Sequence, residues 1–181
     1  MRSCSTRRPS RTRSAVVVAV LGALVLLATA CLPGADDQPK AGTGNASAPP
    51  AVFHTIRAAA HAEEGGYDRV VFEFADALPD WDVRYVAKPV LLLPSGQPTT
   101  LAGTEAIAVR MSPAAGQWSG SPLAYAGPTR FSPGTPEIAE LLQLQDFEGV
   151  LTWAIGVNQH RAFRVSTLTG PPRLVIDVAG S

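Results

Sequence analysis

Two aspartates, Asp80 and Asp82, flank Trp81, and strand alternation would set both on one face. A carboxylate pair of this kind can cleave a glycosidic bond when its carboxyls lie about 5–9 Å apart. Acids at i and i+2 on a surface strand are more commonly a solvated edge, so the pair is expected to be structural. The histidines His54, His61 and His160 are scattered along the chain. His61 with Glu63 or Glu64 could in principle ligate zinc, but the adjoining Gly65-Gly66 makes that stretch read as a solvated turn. The chain has no G-x-S-x-G elbow, no H-E-x-x-H pair and no cysteine after position 31, so nothing offers an activated nucleophile or a metal cage. The expectation is a protein that is not an enzyme, with no catalytic residue, no metal and no cofactor.

Binding residues are easier to nominate. Arg69 with Asp68, and Arg164 with Asp177, could form structural ion pairs that fix strand ends, as could Arg173. Facing outward instead, they could grip carboxylates of a ligand through the planar guanidinium fork. Trp81, Tyr85 and Trp118 could stack on sugar faces, whereas Trp153, inside an apolar run, is expected in the core.

The remaining thiol chemistry belongs to Cys31. Five arginines, Arg2, Arg7, Arg8, Arg11 and Arg13, precede an apolar stretch of about 14 residues, Ala15–Ala28. That is shorter than the roughly 20 residues a membrane-crossing helix needs and fits the apolar part of a signal peptide. Pro9-Ser10 after Arg7-Arg8 argues against twin-arginine export. The stretch ends in Leu27-Ala28-Thr29-Ala30-Cys31, which resembles the lipobox of bacterial lipoproteins, where the cysteine receives diacylglycerol after cleavage. Ala28 stands where leucine is commoner. Ala28-Thr29-Ala30 also satisfies the rule for an ordinary secretory signal, which would leave the cysteine without lipid. The expected organisation is a lipoprotein signal peptide over 1–30, a lipidated flexible linker over 31–51 and one folded domain over 52–181. The linker is rich in Gly, Ala, Pro, Ser and Asp, and some 20 such residues could stretch to about 65 Å. Such a protein would sit at the cell membrane, lipid-anchored on its extracytoplasmic face.

Charge agrees with that placement. The whole chain balances fifteen bases against fifteen acids, but without the five leader arginines the remainder carries a net of about −5. Nucleic-acid binding, which requires clustered Lys and Arg, is excluded on this ground.

From Val52 onward the pattern has the period of strands. Val70, Phe72 and Phe74 alternate with Val71 and Glu73; Trp81, Val83 and Tyr85 alternate with Asp82 and Arg84; Ile107 and Val109 precede Arg110. Val150–Val157 reads as a continuous buried strand. Phe163, Val165 and Thr167, then Leu174, Ile176 and Val178, alternate again. Residues 137–145 admit a helical turn or a strand; a strand paired with 150–157 through Asp146-Phe147-Glu148-Gly149 fits better. Residues 113–136 carry Pro, Gly and Ser with Trp118, Tyr125 and Phe131. They read either as a functional loop or as an insertion whose aromatics pack down on the domain. Many short strands with hardly a helical stripe predict a mostly β fold, a two-sheet antiparallel β-sandwich.

Tyr67-Asp68-Arg69-Val70-Val71-Phe72-Glu73-Phe74, Asp146-Phe147-Glu148-Gly149, Phe163–Leu168 and the closing Pro171-Pro172-Arg173-Leu174-Val175-Ile176-Asp177-Val178 resemble the actinobacterial AMIN-like domain family over about residues 52–179. The resemblance implies a sandwich of two small sheets and a targeting role in the bacterial envelope, with peptidoglycan the usual suspected ligand. A non-catalytic module that binds peptidoglycan or an envelope protein is therefore expected. The alternatives are an accessory subunit of an exported complex, docking by strand addition, and a carrier of a lipid or other apolar ligand in a cavity lined by Phe72, Phe74 and Val109.

Overall fold

The computed structural model describes residues 32–47, 49–62, 66–117 and 121–181; the leader, Cys31, Glu63, Glu64 and Trp118 lie outside them. The fold is mostly β, as the alternation predicts. β1 (Lys40–Gly42), β4 (Asp80–Val86), β7 (Glu105–Ser112), β11 (Val150–Val157), β10 (Ile138–Phe147) and β9 (Arg130–Phe131) lie side by side in that order as one antiparallel sheet. The second sheet runs β12 (Phe163–Leu168), β13 (Arg173–Ala179), β3 (Tyr67–Phe74), β2 (Ala51–His61) and β8 (Ala114–Ala115). Its one parallel contact, β2 with β8, departs from the antiparallel expectation. A small hairpin, β5 (Val90–Leu92) with β6 (Gln97–Thr99), stands apart from both.

The inner faces meet in an aromatic core. Phe53, Phe72, Phe74 and Trp153 are fully buried, and their ring centroids lie 5.8–6.3 Å apart in tilted and edge-on pairs. Trp153 is a core residue, as expected. Residues 138–147 form a strand that turns directly into β11. Glu148 and Gly149 both adopt positive φ, 51° and 72°, the geometry of a two-residue hairpin turn whose twist matches the strands it joins. Much of the 113–136 segment packs down: Ala114 and Ala115 form β8, and the Tyr125 ring lies 4.8 Å from Phe53 and 5.8 Å from Trp153.

One expectation is corrected. The described part of the 31–51 linker is not a loose tether but is built into the fold. Leu32 is buried. The Asp36 N–H donates to the Phe163 carbonyl at 3.2 Å and the Phe163 N–H returns a bond to Asp36 at 2.8 Å. β1 then covers the edge of β4, and the Gly44 N–H donates to Asp80 Oδ1 at 2.8 Å. Composition is blind to this because the strand is held by backbone groups, which every residue carries, and because an uncovered β4 edge would leave a row of unpaired donors and acceptors.

Candidate functional site

The outer face of the second sheet holds the three nominated arginines. Register aligns Arg164, Asp177 and Arg69 in one row across β12, β13 and β3. Arg69 donates twice to Asp177, through Nε at 2.7 Å and Nη2 at 3.0 Å, and Arg164 Nη2 adds a third bond at 2.6 Å. Burial alone would raise the Asp177 carboxyl, but the two guanidinium groups outweigh it and hold the group below its ordinary 3.8. The Arg164–Asp177 pair is the structural ion pair that the sequence offers. Arg69 joins the same carboxylate instead of Asp68. Arg164 also donates to the Pro33 carbonyl, and Arg173 to that of Pro171. Asp68 turns inward, where Oδ2 accepts the Glu137 and Ile138 N–H groups at 2.7 and 3.0 Å and staples β3 to the start of β10.

Trp81 and Tyr85 lie elsewhere, on the inner face of the first sheet beside Val83. Trp81 is roofed by β1, where Gly42 approaches so closely that a Cβ there would collide with the indole. Tyr85 is stacked by His160 at 4.1 Å and met edge-on by Phe163 at 5.8 Å. Its hydroxyl donates to the Arg161 carbonyl and accepts the Arg161 N–H, and burial pushes the phenol up. The structure therefore does not bring these aromatics together with the three nominated arginines. Asp82 is taken by Arg84, whose Nε lies 2.6 Å from Oδ1, while Asp80 caps Gly44. His54 contacts the Leu123 carbonyl and His61 stacks on Tyr67. No group of three His, Cys, Asp or Glu that could hold a metal occurs among the described residues.

The space that an apolar cargo would need between the sheets is filled, since Phe72, Phe74 and Val109 are fully buried in one continuous core. A carrier cavity at those residues is thereby corrected to solid packing.

The open surface with unspent chemistry is the outer face of the first sheet. Three transverse rows cross β4, β7, β11 and β10: Val86-Ala106-Gly156-Glu140, Arg84-Ala108-Ala154-Leu142 and Asp82-Arg110-Thr152-Gln145. Small residues in the first two rows let the β5–β6 arm lie close, so that Val90, Leu101, Ala106, Leu142, Leu144 and Ala154 form a second small core. A bulge in β10 between Gln143 and Gln145 sets Leu144 apart, and its carbonyl accepts the Leu93 N–H at 2.8 Å, pinning the arm. Where the arm ends, a groove opens over the polar row. Two adjoining lobes of about 460 and 540 Å³ share Leu93, Ala108 and Thr152. Arg110 stands exposed in the row with no hydrogen-bond or ion-pair partner among the described residues. Thr152 is 5% exposed, and its Oγ1 has no hydrogen-bond partner.

A family model described as AMIN-like domain matches residues 51–180. The chain belongs to the AMIN-like domain family. Neither the curated proteins nor the solved structures yield a match to it. The match covers every strand except β1, takes in the groove, and begins where β2 begins. Membership points to an envelope-associated role without catalysis of its own. The sequence alone does not single out Arg84, Arg110 or Thr152 as site residues. The signal was present in part, since Asp82-Val83-Arg84 and Val109-Arg110 place the charges opposite the apolar positions. Their alignment into one row depends on strand order.

Proposed function

We propose that this protein is a lipoprotein, acylated at Cys31 and held on the extracytoplasmic face of the cell membrane, whose AMIN-like domain binds the envelope without catalysing a reaction. The leader and the small residues before Cys31 support the anchor. The family supports the envelope. The observation that carries binding is the open polar row: Arg110 is a cation with no partner among the described residues, beside a groove of ligand size, on a sheet whose other face is core. The wall's peptide stems carry carboxylates that such a cation would pair, which makes peptidoglycan the preferred target. Co-sedimentation of the mature protein with purified sacculi tests this. Retention well above that of an unrelated domain of similar net charge is expected; equal retention counts against the wall as target.

A second reading, a protein partner in the envelope, is favoured by the edge of β12. This strand pairs with β13 on one side; on the other, the described residues bridge it only at Phe163, through Asp36, and its Leu168 end is 44% exposed. An extended segment could add there. Crosslinking in cells from positions in β12 separates this reading from wall binding.

A further inference from the structure

We propose that the groove under the β5–β6 arm is a receptor for the terminal carboxylate of a short peptide of small apolar residues, with Arg110 pairing the carboxylate and the Thr152 hydroxyl donating to it. The inference rests on the envelope-binding reading and names the ligand chemistry of that site. Three observations converge on it.

The first is charge. Asp82 would be the natural partner of Arg110, which faces it across β4 and β7. Arg84 occupies that carboxylate instead, through Nε and Nη2. The row is left with one uncommitted guanidinium, a group suited to planar, two-point recognition of a carboxylate. Lys88, at the far end of the groove, has its ammonium on the Leu101 and Gly103 carbonyls, both at 2.6 Å. With a single free cation on its walls among the described residues, the groove fits a monoanion better than a phosphate dianion.

The second is Thr152. Its hydroxyl is buried and unsatisfied, next to Arg110 in the register. A buried polar atom without a partner is costly, and valine would fill the same space without that cost. A ligand oxygen that accepts this hydrogen explains why a hydroxyl stands there.

The third is shape. Leu93, Ala108 and Leu144 wall the groove with methyl groups, and its volume suits a di- or tripeptide. No aromatic ring lines either lobe, which disfavours stacking on a sugar.

The test is NMR titration of the full mature protein with N-acetyl-alanyl-alanine, its C-terminal amide, inorganic phosphate and a chitin oligomer. The acid is expected to bind about tenfold tighter than the amide, with shifts at Arg110 and Thr152. Arg110→Gln should erase the difference between acid and amide. Thr152→Val should weaken the acid severalfold without lowering the melting temperature. Arg57→Gln, on the opposite sheet, should change nothing. Equal affinity for acid and amide, or tighter binding of phosphate or the chitin oligomer, overturns the proposal. Sacculus binding without acid preference would sink this ligand and leave the envelope reading standing. Acid preference without sacculus binding would do the reverse.

Discussion

Asp36 and Phe163 exchange backbone hydrogen bonds in both directions, only five residues after Cys31. This clamp sets how far a lipid-anchored domain could stand from its membrane. From Cys31 to Asp36 the chain spans at most about 18 Å, and Leu32 is already buried in the fold. A free linker over 31–51 would have reached about 65 Å.

A domain acylated at Cys31 should therefore lie against the bilayer. Neutron reflectometry of the acylated protein on a supported bilayer is expected to show protein density beginning at the headgroups. A hydrated gap of several tens of ångströms would mean that the Asp36–Phe163 clamp is open. Twenty Gly/Ser residues inserted after Cys31 should create that gap.

Asp177 accepts three hydrogen bonds from two guanidinium groups. Asp177→Asn leaves Arg69 and Arg164 side by side without a counter-ion, at a cost of about 3 kcal/mol at neutral pH. Because the native carboxyl is held below 3.8, its stabilising contribution is complete above the ordinary aspartate range. It is lost as pH falls through the native value. Urea melts of the two proteins should diverge at pH 7, and the gap should close as the pH falls below 3.8 and through the native value. A constant gap across that range would show that the carboxylate charge is not the source.

Asp68 joins the sheets from inside. Asp68→Ala strands two buried N–H groups, those of Glu137 and Ile138, and should cost about 2–4 kcal/mol. Hydrogen exchange should quicken at those two amides before it does in β11. Uniform quickening would argue that the staple is not local.

Gly42 and Trp81 make a sharper local test of the N-terminal segment. Gly42→Val places methyls in the indole, so β1 should lift from β4 at a cost of about 1–3 kcal/mol. Trp81 emission should then shift to the red. An unchanged spectrum would show that β1 does not roof the indole in solution.

The strands were legible because period two is a local signal. Val70-Phe72-Phe74 and Leu174-Ile176-Val178 each announce their buried face without reference to any partner. The β10–β11 hairpin was legible because Glu148-Gly149 combines turn chemistry with apolar runs on both sides. Trp81 and Tyr85 show how far that signal extends: they alternate in phase with Val83, so the pattern that marks the strand also assigns them to the core. Ring chemistry alone marks them as sugar platforms; their phase marks them as inward-facing. Register across strands is not local. Asp82, Arg110, Thr152 and Gln145 are spread over more than sixty positions of the chain and become one row only through the order β4-β7-β11-β10. Likewise β1 has no apolar pattern; its pairing with β4 and the contacts of Lys40 with Asp36 and Phe163 place it.

The reading of the open sheet face is tested most directly by reversing its free charge. Mature protein carrying Arg110→Glu should fold with an unchanged melting temperature, since that side chain is exposed and unpartnered among the described residues. Its retention on purified sacculi should fall at least tenfold, whereas Arg173→Glu, on the opposite sheet, should keep most of it. Undiminished retention of the Arg110→Glu protein would contradict the account.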